Sequence, residues 1–166
     1  PGVAVSLHAG ELALGMVRPD NLTFHVSEAI RVGGAKRIGH GVGIMYEPDS
    51  LLTLSSMVQD EIAVEINLTS NQFILGIEGA KHPIVIYHEN GVPLVISTDD
   101  PGVSRNNLAS QYTLLATRYQ FSYPTIKQLV LNSIRYSFMS RADREVVLRS
   151  VEQAMLAFES QPWPEG

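Results

Sequence analysis

Four short strand-like runs, Val3–His8, Arg37–His40, Glu61–Leu68 and Val92–Ser97, recur along the chain. Their spacing is roughly 30 residues, the length of one strand–helix–strand unit. In the third run Ile62, Val64 and Ile66 alternate with charged neighbours, the period of a strand. Between the runs lie stretches with helical spacing. Leu22–Val32 carries Leu22, Val26, Ala29 and Ile30 on one face and stops at Gly33-Gly34. Ser50–Gln59 follows Pro48-Asp49, and a short helix opens at His82-Pro83, ends at Tyr87 or His88 and is closed by Asn90-Gly91. Three more helices are expected over Asn107–Arg118, Pro124–Ser137 and Arg141–Glu159. In the last, Val146, Val147, Val151, Met155 and Phe158 form a stripe that reads as core packing, and the tail QPWPEG reads as a loose end.

Strands alternating with helices imply a parallel α/β sheet with helices covering it. A doubly wound open sheet calls for a Gly-rich phosphate turn after its first strand, and His8-Ala9-Gly10-Glu11-Leu12 is not one. A TIM-type (β/α)8 barrel needs about 250 residues; four units in 166 residues match half of it. The expected fold class is therefore half of a (β/α)8 barrel, four parallel strands with covering helices plus extra C-terminal helices. Such a half has two open edges and an uncovered interior, so it is not expected to be stable alone. The chain begins at Pro1 and not at Met, and a strand-like segment starts almost at once. It is expected to be part of a longer protein.

Composition narrows the function. A net charge of -5 without a cluster of Lys and Arg argues against a nucleic-acid partner. No apolar run reaches the roughly 20 residues that span a bilayer, so no membrane partner is expected. The absence of cysteine removes disulfides, thiol nucleophiles and thiolate zinc sites; it is compatible with a reducing compartment, and the cytoplasm is the expected location.

In a parallel barrel the active site forms at the C-terminal ends of the strands. That rule selects His8 with Glu11 beyond it, His40 between two glycines, the polar cluster Asn67–Asn71, and Asp99-Asp100. Two histidines, a glutamate and two aspartates are groups that bind zinc or move protons. Taken singly, His8 could be a structural histidine, and Asp99-Asp100-Pro101-Gly102 could be a turn. Their common position at strand ends is what selects them together.

These residues resemble the ordered motifs of the adenosine deaminase family: His8-Ala9-Gly10-Glu11, Arg37-Ile38-Gly39-His40-Gly41 and Ser97-Thr98-Asp99-Asp100-Pro101, with Leu68-Thr69-Ser70-Asn71 and His82-Pro83 between them. The resemblance spans Val3 to Tyr112, and the helices beyond add length and little else. It implies the C-terminal half, strands five to eight, of a zinc-bearing barrel occupying residues 1–166. The implied reaction is hydrolytic deamination of adenosine or deoxyadenosine by a zinc-activated water, giving inosine and ammonia, a step of purine salvage. By position in the motifs, His8 and Asp99 would be metal ligands. Glu11 would protonate purine N1, His40 would orient and help deprotonate the attacking water, Asp100 would bind purine N7, and Gly10 would contact the substrate.

The family's His-x-His pair on its first strand has no counterpart in this chain, where the other histidines are His25, His82 and His88. All three are expected in surface or capping roles. Two protein ligands fall short of the three or four usual for zinc, so the missing N-terminal half of the barrel is the expected partner and this piece alone is expected to be inactive. The cysteine-based zinc deaminases are excluded because their signature needs a cysteine pair. Three alternatives stand beside adenosine deamination. One is a deaminase of another 6-aminopurine such as N6-methyl-AMP, another is a non-catalytic nucleoside-binding or interaction remnant, and the third is a barrel closed by two copies.

Overall fold

Strands β1 (Ser6–Ala9), β2 (Arg37–His40), β3 (Ala63–Ile66) and β4 (Leu94–Ile96) form one sheet in the order β1-β2-β3-β4, with every neighbouring pair parallel. They come from a computed structural model in which residues 2–162 are described. Sequential order with parallel pairing is the arc of a (β/α)8 barrel: each strand leaves the sheet, crosses through helical structure and returns one place further along.

The helices are α1 (His25–Arg31), α2 (Ser50–Gln59), α3 (Leu68–Leu75), α4 (Ile84–Glu89), α5 (Pro101–Ser104), α6 (Leu108–Arg118), α7 (Tyr123–Arg135) and α8 (Arg141–Glu159). The core lies between the outer face of the sheet and these helices. Ile38, Val64, Ile66, Leu94 and Ile96 meet Val26, Leu54, Met57, Ile84, Tyr87, Leu115 and Leu129 there. Each such side chain contributes about 1.5–3 kcal/mol when fully buried. On the opposite face, Glu65 accepts from the Ser6 hydroxyl at 3.0 Å and pairs with Arg37 Nε at 2.7 Å, tying the first three strands across the barrel interior.

Several sequence expectations need correction. β2 keeps its expected bounds, whereas β1 starts later than its apolar run and β3 and β4 are shorter than theirs at both ends. The segment Leu22–Val32 is not one helix: Pro19–Leu22 makes a 3-10 turn and α1 begins only at His25. The buried Glu47 carboxylate accepts from the N–H groups of Val26 and Ser27 at 2.6 and 3.1 Å, and this contact pins the helix start. The polar cluster Asn67–Asn71 forms the N-cap and first turn of α3.

The helices after Tyr112 do more than add length. Leu129, Leu131 and Ile134 of α7 are buried, and the Asn132 amide donates to the Leu94 carbonyl on β4 at 3.1 Å. The α8 stripe is not core. No residue of α8 is buried, and Val146 and Phe158 are exposed; α8 packs chiefly on α7. Of the tail, Trp163–Gly166 lies outside the described residues. Among the described residues no helix is long and apolar enough to cross a membrane.

Candidate active site

The site is built at the C-terminal ends of β1, β2 and β4, where ligand atoms of His8, His40 and Asp99 all lie within 4.8 Å of one another. His8 ends the row of side chains that starts at Ser6 and faces the barrel interior. Gly39, its register partner on β2, leaves room for it: a Cβ there would already stand 3.4 Å from the His8 ring.

His40 arrives by a less regular route. Strand alternation puts it on the side of Ile38, which packs under the helices. Its φ of 70°, however, turns the side chain out of that alternation and into the mouth. Asp99 has the same left-handed backbone, with φ 56°. Such a conformation costs a non-glycine residue roughly 1–2 kcal/mol, and the surroundings hold both. The loop after His40 is fixed where Gly41, at φ 59°, receives the Tyr87 hydroxyl on its carbonyl at 2.7 Å. A Cβ on Gly41 would meet that hydroxyl at 2.6 Å.

His40 is fully buried. Its Nε2 has no hydrogen-bond partner and stands 3.5 Å from Glu11 Oε2 and 3.8 Å from Asp99 Oδ2. The His8 and His40 rings lie 5.1 Å apart. Burial lowers the His40 pKa, opposed in part by the carboxylates of Glu11 and Asp99. Asp99 is positioned by Ser70, whose hydroxyl donates to Oδ2 at 2.6 Å. The other face of His40 meets the amides of Asn67 and Asn71, at 3.3 and 2.9 Å from Nδ1.

Asp100 opens α5 without capping it by its side chain, and is exposed beside Asp99. Gly10 is buried with φ 69°, and its carbonyl accepts from the Gly43 N–H at 2.8 Å. A Cβ there would press on Gly43 and Val26 at 3.1 Å, so the tight joining of the β1 and β2 loops requires glycine. The structure therefore brings together His8, Glu11, His40 and Asp99, with Asp100 exposed next to Asp99 and Gly10 buried in the turn between His8 and Glu11.

His82 is buried and not on the surface, but it keeps the capping half of its expected role. Its ring accepts from the Ile84 N–H at 3.1 Å, at the start of α4, and meets Asn71 Oδ1 at 3.0 Å. Burial lowers its pKa to about 4. His25 and His88 are peripheral: His25 meets the Asn21 carbonyl, and His88 lies against Phe121. Gln111 was not legible as a site residue. Fully buried in α6, it donates to Thr69 Oγ1 at 2.6 Å and accepts from the Thr69 N–H at 3.2 Å, clamping the turn that carries Ser70 and Asn71.

Comparison with known proteins agrees with this geometry. Residues 1–154 match the family model described as adenosine deaminase. A curated adenosine deaminase of Shewanella denitrificans is 32% identical over 147 residues, covering 88% of this chain and 41% of that protein. The chain thus spans about two fifths of the length of that relative. Among solved structures, the N6-methyl-AMP deaminase of Arabidopsis thaliana superposes with a TM-score of 0.71 at 24% identity, over 91% of this chain and 41% of that one. An amidohydrolase of Burkhoderia ambifaria with bound Zn gives a TM-score of 0.75 at 21% identity, over 94% of this chain and 42% of that one. At these identities the two structures speak for the fold alone. The family match runs past Tyr112 through most of α8, so the C-terminal helices are part of the shared architecture. With half-barrel topology, clustered strand-end histidines and carboxylates, and a family match over nearly its whole length, the chain belongs to the adenosine deaminase family.

Proposed function

We propose that this chain supplies strands five to eight of a zinc-dependent purine deaminase barrel, and that it acts on adenosine or deoxyadenosine once four preceding strand–helix units complete the barrel. The observation that carries the reading is the convergence of His8, His40 and Asp99 within 4.8 Å, with Glu11 beside them.

The donor set fits zinc, which takes imidazole nitrogen and carboxylate oxygen in compact sites. His8 and Asp99 would hold it, with Ser70 orienting the carboxylate, a support that metal-binding side chains commonly have. When bound, the ion would supply the Lewis acidity that brings the pKa of a water from about 15.7 toward roughly 7. Glu11 would carry a proton to purine N1, leaving the ring carbon open to attack. His40 would orient the attacking water from its buried position. Asp100 would bind purine N7 as the hydrogen-bond donor, because N7 can only accept, and the Gly10 turn would form the floor against which the base rests.

The runner-up substrate is another 6-aminopurine such as N6-methyl-AMP, because the base-handling residues of this chain would serve either substrate. The sugar and phosphate contacts fall to the half of the barrel outside this chain. Activity of the completed barrel on adenosine, AMP and N6-methyl-AMP separates the two. Glu11→Gln tests the chemistry in either case, because losing a positioned acid costs about 10²–10⁴ in rate. Deamination undiminished in that variant contradicts the reading and favours a remnant whose carboxylate is incidental.

A further inference from the structure

The three clustered side chains do not offer the mouth equivalent atoms, and a backbone group outside the mouth makes the difference. The Ile84 N–H can only donate, and it points at His82 Nδ1 at 3.1 Å. That nitrogen must therefore be an acceptor. His82 is buried, with its pKa lowered to about 4, so at neutral pH its ring carries a single hydrogen, on Nε2. The resulting N–H meets Asn71 3.0 Å away, where only the carbonyl oxygen can accept. With Oδ1 committed, Asn71 turns its NH2 group to His40 Nδ1 at 2.9 Å, and the Asn67 NH2 faces the same nitrogen at 3.3 Å. Two donors aimed at Nδ1 require a lone pair there. The hydrogen of the neutral His40 ring is thus on Nε2, the atom that is buried in the mouth without a partner.

We propose that the relay from Ile84 through His82 and Asn71 fixes His40 as the Nε2–H tautomer, so that His40 serves the mouth as a hydrogen-bond donor and not as a metal ligand. Asn71 and His82 are then positioning residues for the reaction. Of the three clustered groups, only His8 and Asp99 keep free lone pairs for a cation. A ring whose Nε2 already bears hydrogen does not take a proton there. His40 holds the attacking oxygen by donating to it, in place of the deprotonation that the family resemblance suggests. The identity of that oxygen rests on the deaminase reading; the tautomer does not.

The test reads the ring directly. Nitrogen-15 NMR of the histidine-labelled, completed barrel, metal-free at neutral pH, is expected to show His40 Nδ1 as the lone-pair nitrogen and Nε2 as the N–H nitrogen. The inverse pattern overturns the proposal. Asn71→Asp replaces the donor facing Nδ1 by an acceptor. The pattern is then expected to invert, leaving Nε2 as the lone-pair nitrogen of the ring. An unchanged pattern in that variant overturns the relay. If Asn71→Asp does not fold, Asn71→Ala removes the donor without adding charge and is expected to populate both tautomers; a single retained tautomer also overturns the relay. Failure of the completed barrel to deaminate any purine would defeat the functional reading while leaving the spectrum to judge the tautomer.

Discussion

The Ser70 hydroxyl donates to Asp99 Oδ2 at 2.6 Å, joining the first turn of α3 to the end of β4. Asp99 holds a left-handed backbone, and this bond helps keep its carboxylate aimed at His8 and His40. Ser70→Ala should leave the fold intact and weaken zinc binding about 10–100-fold, the usual effect of removing a partner of a ligating side chain. Calorimetric titration of zinc into the completed barrel checks this; unchanged affinity would show that Asp99 is held by the backbone alone.

Gln111 closes two hydrogen bonds with Thr69 from a fully buried position. Gln111→Ala strands the Thr69 N–H and hydroxyl and should cost about 2 kcal/mol. Chemical denaturation measures the loss, and amide exchange should accelerate first in the opening turn of α3. A variant within about 0.5 kcal/mol of the parent, the range of ordinary surface changes, would mean that water replaces the clamp.

His82 gives the fold a pH dependence of known sign. Its pKa falls from 6.5 to about 4 in the folded protein because burial disfavours the charged ring, with His40 adding to the effect. Below pH 6.5 the unfolded chain takes up a proton that the folded protein refuses until about pH 4, so this contribution is complete above 6.5 and is lost as pH drops through the window. At about 1.4 kcal/mol per pKa unit, the loss is on the order of 3 kcal/mol. Denaturation of the completed barrel at pH 7 and pH 4.5 should show a smaller difference in His82→Gln than in the parent protein. Equal differences would mean that His82 is not held neutral.

Most of the architecture was legible because strand and helix periods leave direct traces in sequence. The parallel order, β2, α2 and the span of α8 all followed from spacing, and strand ends selected His8, His40 and Asp99. Tertiary contacts decided the rest. The start of α1 depends on Glu47, distant in sequence, and no local signal announces that carboxylate as its partner. The apolar stripe of α8 looked like core because helical periodicity records an amphipathic face without saying what covers it. His82 beside a proline had the look of a cap, and its contact with Ile84 agrees with that; its bond to Asn71 of α3 is a tertiary contact that no local signal announces. The positive φ values of His40 and Asp99 left only a faint trace, since both residue types are enriched in that region yet adopt it uncommonly.

The central claim is a zinc ion held between His8 at the end of β1 and Asp99 beyond β4, and metal analysis of the completed barrel tests it most directly. The account predicts one zinc per chain in the parent protein, at least tenfold weaker binding in His8→Ala and in Asp99→Ala, and retained binding in His40→Ala. A fully active, metal-free protein, or zinc bound equally well after both ligand substitutions, would contradict it.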